Sequence, residues 1–160
     1  MTLSTVYIET SVVSYLTDKP QRNVLKYARV LHTTKWWMNR RSAYSVWTSS
    51  FTLDEAKNGD AQAAKIRLDH LSDLPLLELN EAVYLLASDL SESGIFPKKC
   101  EVDIGHISVA AVHQIDILLT WNCSHIANPV IARMIEPIIW KHGFRMPFLA
   151  TPEELLGDRK

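Results

Sequence analysis

The stretch Thr5–Ser11, TVYIETS, decides the fold. Its first four residues are β-branched or aromatic, the composition of a pleated, buried strand, and the run stops at a carboxylate followed by two hydroxyl residues of the kind that open helices. A strand that passes straight into a helix does not pair with its sequence neighbour through a tight hairpin. It pairs in parallel, through a helical crossover.

The same pattern recurs outward from this stretch. Apolar residues at helical spacing predict a helix over Arg22 to Arg40, followed by a short strand over Ala43 to Trp47. Ser49 to Lys57 reads as a capped helix stopped at Asn58-Gly59. Asp60 to Leu71 is a further helix, and Pro75 to Leu79 a third strand. Asn80 caps a helix from Glu81 to Ser91 that ends at Gly94. Glu101 to His113 is helical, Asp116 to Thr120 (DILLT) is a buried strand, Asn128-Pro129 opens a helix towards Gly143, and Pro147 to Ala150 is a last strand. Strands alternating with helices predict an α/β fold with a parallel sheet covered by helices.

Composition agrees with this and narrows the function. The chain has 160 residues, 47% of them apolar and 22% charged, which fits one domain spanning residues 1–160. Seventeen basic residues stand against eighteen acidic ones, so the surface is not uniformly basic in the way a general nucleic-acid grip requires. The N-terminus has no basic segment or cleavage pattern of a signal peptide, and no apolar run approaches the roughly 20 residues of a membrane span. Cys100 and Cys123 belong to no CxxC, so reduced thiols in the cytoplasm are expected. Patterns for dinucleotide binding, P-loop NTP hydrolysis and α/β-hydrolase chemistry are absent.

In parallel sheets ligands bind beyond the carboxyl ends of the strands. Glu9 stands at such an end, and Asn122 lies just past the end of DILLT, two residues after Thr120. Glu55 is on the short helix after the second strand, and Asp103 is in the first turn of the helix that feeds DILLT. Four distant segments can thus deliver three carboxylates and an amide to one crevice. Clustered carboxylates raise one another's pKa unless a cation neutralises them. An all-oxygen set suits Mg2+ or Mn2+, and such a metal activates water for attack on a phosphodiester.

Four segments, YIETSVVSYL (7–16), SSFTLDEA (49–56), DIGHISVAAVH (103–113) and LLTWNCSHIAN (118–128), resemble the PIN-domain nucleases, the fold of VapC-type toxins of bacterial toxin–antitoxin pairs. The resemblance covers nearly the whole chain. It implies a three-layer α/β/α sandwich around a mainly parallel sheet of about five strands. It also implies Mg2+- or Mn2+-dependent cleavage of single-stranded RNA, a homodimer and a small antitoxin partner. On this resemblance Glu9, Glu55 and Asp103 match the first three family acids and would hold the metal, and Asn122 stands where the fourth acid is usual. Glu9 is one methylene longer than the usual Asp. Asn122 can offer a carbonyl oxygen or hold a water but supplies no charge.

Thr10, Ser11 and Thr120 are either second-tier hydroxyls of this site or plain helix and strand ends. His106, one turn after Asp103 on the same helix face, is either a satisfied structural histidine or a contact to substrate phosphate or to that acid. His125 has a phosphate contact open to it, Asp54 points away from Glu55 to solvent, and Asp116 is assigned to a cap or turn outside the site. Lys35, Arg40, Arg41, Lys98, Lys99, Arg133 and Lys141 are candidates for a basic rim. Trp36 and Trp37 are candidates for base stacking, for core, or for an interface. The rival to a nuclease is an inactive PIN-fold module that binds RNA or a partner. A phosphoacceptor receiver domain lacks its lysine after the last strand.

Overall fold

A computed structural model describes residues 2–19 and 22–157. Five strands form one sheet in the order β3-β2-β1-β4-β5, with every pairing parallel. They are β1 (Thr5–Ile8), β2 (Ser45–Ser49), β3 (Leu76–Leu77), β4 (Ile117–Leu119) and β5 (Phe148–Ala150). Seven helices connect them: α1 (Thr10–Thr17), α2 (Val24–Asn39), α3 (Ser50–Ala56), α4 (Ala61–Leu71), α5 (Glu81–Glu92), α6 (Glu101–Val112) and α7 (Pro129–Lys141). β1 is central, so the chain leaves it towards β2 on one side and reaches β4 on the other.

Strand alternation divides the helices into two layers. Val6, Ile8 and Leu119 face one side and pack with Val12 and Val13 of α1, Trp36 of α2, Ala56 of α3 and Leu71 of α4. Tyr7 and Leu118 face the other and pack with Val83, Leu86 and Leu90 of α5, Ile104 and Ile107 of α6, and Ile135 and Ile139 of α7. The result is an α/β/α sandwich. β1 has no exposed apolar residue because both of its faces are covered.

Asn80 and Asn128 cap their helices as the sequence reads, whereas Ser49 makes no side-chain capping bond to α3. Asn23, Asp60, Asn80 and Asn128 each accept a backbone N–H of their own helix's first turn. The third strand is confined to Leu76–Leu77 within the expected Pro75 to Leu79, and the second is shifted along the chain. The second strand covers Ser45–Ser49 rather than Ala43 to Trp47, because Arg41–Ala43 form a 3-10 turn that closes α2. Pairing of Thr5 with Ser45 then sets the register. The shift places Ser49 at the carboxyl end of β2, level with the end of β1.

Candidate active site

The carboxyl ends of β1, β2 and β4 lie side by side, and the segments that leave them enclose an open cleft of about 420 Å³. Glu9 follows β1 directly, Glu55 is in the last turn of α3, Asp103 is in the first turn of α6, and Asn122 is in the loop after β4. All four line this cleft, with Thr10, Ser11, Ser14, Tyr15, Asp18 and Lys26.

Glu9 is the N-cap of α1, and its side chain turns back to accept the Ser11 N–H at 3.0 Å and the Ser11 hydroxyl on Oε1. The Ser11 Oγ in turn accepts the Trp121 N–H at 2.8 Å, which ties the loop after β4 to the end of β1. Glu9 is 4% exposed. Burial pushes its pKa up, against the opposing influence of His106, the two Ser11 donors and the Thr120 hydroxyl.

Glu55 is held differently. Its Oε1 lies 2.7 Å from His106 Nε2 and accepts the Thr10 hydroxyl at 2.5 Å. Burial alone would raise its pKa, but the bonds from His106 and Thr10 outweigh it and hold the carboxyl below the ordinary range. The imidazole behind it is fully enclosed, with Nδ1 2.6 Å from the Tyr7 hydroxyl. Burial raises the Tyr7 pKa, so the phenol keeps its proton. An ionised Glu55 only accepts, so Nε2 carries a proton. In the neutral imidazole Nδ1 then accepts from Tyr7, whose oxygen has Ser49 Oγ at 2.8 Å as a further partner. Tyr7, His106 and Glu55 therefore form one directed chain from core to cleft.

Asp103 is fixed through both oxygens. Asn122 Nδ2 donates to Oδ1 at 3.1 Å, and His125 Nδ1 lies 2.9 Å from Oδ2. The orientation of the Asn122 amide is set chemically. Its other end faces the His125 N–H at 3.1 Å, a group that can only donate, so that end is the carbonyl. The amide of Asn122 thus supplies a proton to Asp103 where a fourth acid would supply repulsion. Thr120 Oγ1 accepts the Asn122 N–H at 2.8 Å and shapes this loop.

The donor set facing the cleft is oxygen, which suits a hard divalent cation. The bonds from Ser11 to Glu9 and from Thr10 and His106 to Glu55 all fall on Oε1. Mg2+ is commonly held by one or two carboxylates with its remaining positions filled by water, so these residues fit it. The three acids do not, however, form a converged set of donor atoms among the described residues. The set that does is Cys100, Asp103 and His125.

Other sequence-derived candidates are distributed as follows. Asp54 is exposed and paired with Lys57 at 2.9 Å. Asp116 accepts the Thr5 N–H and hydroxyl at the opposite, amino end of the sheet. Trp36 is fully buried in the core, which removes it from base stacking. Trp37 and Arg41 stack on each other at 4.4 Å near the amino end of β2, and Arg41 pairs with Asp73. That part of the expected basic rim is therefore remote from the cleft. Lys26 takes its place, a residue missed because its position at the cleft depends on α2 folding back over α1. Tyr7 was passed over as one apolar position in a strand.

No protein-family model and no curated protein sequence matches the chain. Among solved structures it is similar to a chain of VapBC2 from Rickettsia felis, a complex crystallised bound to a DNA fragment from its own promoter. The match has 15% sequence identity and a TM-score of 0.54 over 92% of this chain and 98% of that one. Together with the all-parallel, five-stranded sheet, this similarity shows that the chain has the PIN-like α/β/α fold of VapC.

Proposed function

We propose that this PIN-like domain is a metal-dependent endoribonuclease that cleaves single-stranded RNA, and that it is the toxin of a toxin–antitoxin pair. The observation that carries this reading is the placement of Glu9, Glu55 and Asp103, from three separate segments, on one cleft at the carboxyl ends of β1, β2 and β4. Glu9 and Glu55 would hold Mg2+ or Mn2+ through Oε2, with Asp103 opposite. The ion would supply neutralisation of phosphate charge and an activated water. Ser11 orients Glu9, Thr10 and His106 orient Glu55, and Asn122 orients Asp103. Lys26 at the rim offers a cation to the RNA backbone.

The VapBC2 resemblance supports a small antitoxin as partner, and the exposed Val24, Leu25 and Tyr27 of α2 offer it an apolar surface. Exposed Met134, Trp140 and Phe148 support a homodimer. The cytoplasm is the compartment that an RNA substrate and two free cysteines fit. No helix among the described residues is long and apolar enough to cross a membrane.

One observation favours the second reading, a PIN-fold module that binds RNA without cutting it: the fourth acid position holds an amide already engaged with Asp103 and His125. Purified protein incubated with single-stranded RNA and Mn2+ separates the two. Cleavage that falls at least about a hundredfold in Asp103→Asn and Glu55→Gln, and stops with EDTA, supports the nuclease. RNA retained but uncut by the unmodified protein supports the binding module, and cleavage undiminished in Asp103→Asn refutes the site.

A further inference from the structure

Cys100 stands at the N-cap of α6 yet caps nothing, since its side chain makes no bond to the first amides of the helix. Preferred N-cap residues carry a side-chain oxygen that accepts such a bond, and a thiol is a poor substitute. The sulfur lies instead 3.5 Å from His125 Nδ1, and the same nitrogen lies 2.9 Å from Asp103 Oδ2. All three donor atoms are within 4.8 Å of one another. Cys100 is buried, whereas Asp103 and His125 are part-exposed, so the group is closed on the core side and open towards solvent.

We propose that Cys100, Asp103 and His125 form a second metal site, selective for a borderline-soft divalent cation of the Zn2+ class and sharing Asp103 with the all-oxygen cleft. One sulfur, one nitrogen and one oxygen are the ligand types such an ion takes, and neither Mg2+ nor Ca2+ seeks a thiolate. The spacing agrees. A tetrahedral centre with Zn–S of about 2.3 Å and Zn–N of about 2.0 Å separates those donors by about 3.5 Å, and the nitrogen and oxygen by about 3.3 Å. The observed separations are 3.5 and 2.9 Å, so only the second has to open slightly. Binding forms the three metal–ligand bonds and releases the Cys100 thiol proton to solvent. Any proton on His125 Nδ1 moves to Nε2, and the fourth position is left to water.

The consequence for catalysis rests on the nuclease reading; the binding itself does not. An ion on these residues engages Asp103 Oδ2 and fixes it away from the cleft. A thiophilic cation is then an inhibitor where a hard one activates.

The test uses the full chain and Co2+ as the probe, followed through cobalt–thiolate charge-transfer absorption in the near ultraviolet. The expected result is a band that saturates at one equivalent and is bleached by Zn2+. Cys100→Ser removes it, and His125→Gln weakens Co2+ binding at least about tenfold. Cys123→Ser leaves it intact, because Cys123 is exposed and outside the group. Thermal unfolding of both ligand variants shows that they fold, and either one suffices for the test. No band in the unmodified protein, a band that survives Cys100→Ser, or one lost in Cys123→Ser overturns the proposal. Because the band is read without RNA, it stands or falls separately from cleavage.

Discussion

His106→Leu tests the chain from Tyr7 to Glu55 most directly. The side chain is 1% exposed and makes two bonds, at 2.6 Å to the Tyr7 hydroxyl and 2.7 Å to Glu55. Leucine is close enough in volume that the cavity term is small, so the cost is mainly these bonds. A buried bond between neutral groups contributes about 1 kcal/mol net. The bond to Glu55 involves a charge, but that carboxylate is 35% exposed and water takes over part of the role, so it too is set at about 1 kcal/mol. Tyr7 keeps Ser49 and is not left unsatisfied. A loss of about 2 kcal/mol in a chain of this length lowers Tm by about 6 °C. Calorimetry of the metal-free protein checks the value, and a cycle with Tyr7→Phe should show a coupling of about 1 kcal/mol. With Glu55 held by Thr10 alone, Mn2+ affinity should fall about 10- to 100-fold. An unchanged Tm, or strictly additive Tyr7 and His106 effects, would refute the reasoning.

Asn122→Asp replaces a donor to Asp103 by a like charge, and should cost about 1–2 kcal/mol in EDTA while increasing the stabilisation gained from Mn2+; Tm with and without the ion reports both. For Glu9 the sign is set by its raised pKa: the folded state holds its proton more tightly than the unfolded chain, so stability present at pH below about 4.5 is lost as pH rises through the folded-state pKa. Glu9→Gln should therefore raise the urea midpoint at pH 7 in chelated protein, with the advantage gone in acid. At Gly105 an added Cβ would sit 2.9 Å from the Phe51 ring. Overpacking of about 1–3 kcal/mol exceeds the gain of about 1 kcal/mol in helix propensity, so Gly105→Ala should lower Tm, and a higher Tm would show that the ring yields freely.

The sheet and its helices were legible because their signals are local: the β-branched and aromatic run TVYI, asparagine caps before α5 and α7, and an apolar DILLT. The second strand was misplaced by two residues because Ala43-Tyr44 has strand-like character, while the 3-10 turn that occupies Arg41–Ala43 is fixed by the end of α2. The addresses of Glu9, Glu55, Asp103 and Asn122 followed from their places near the carboxyl ends of strands and on the adjoining helices, and the strand order brings them to one cleft. Their partners did not. Nothing in the sequence places His125 against Asp103, Cys100 against His125, or Tyr7 against His106, because each pair joins segments that meet only in the folded chain. Lys26 was overlooked for the same reason, whereas Arg41 was proposed for the rim on charge alone.

The bond between Ser11 and Trp121 joins residues 110 positions apart. During synthesis, the first carboxylate therefore emerges long before the loop that closes the cleft around it. A nascent polypeptide that has not reached β4 carries acids with nowhere to assemble, so under the proposed function a cell would meet its chemistry only once the chain is nearly finished. On the nuclease reading, termination anywhere before Thr120 should abolish cleavage rather than weaken it, because the fragment lacks the loop that closes the cleft.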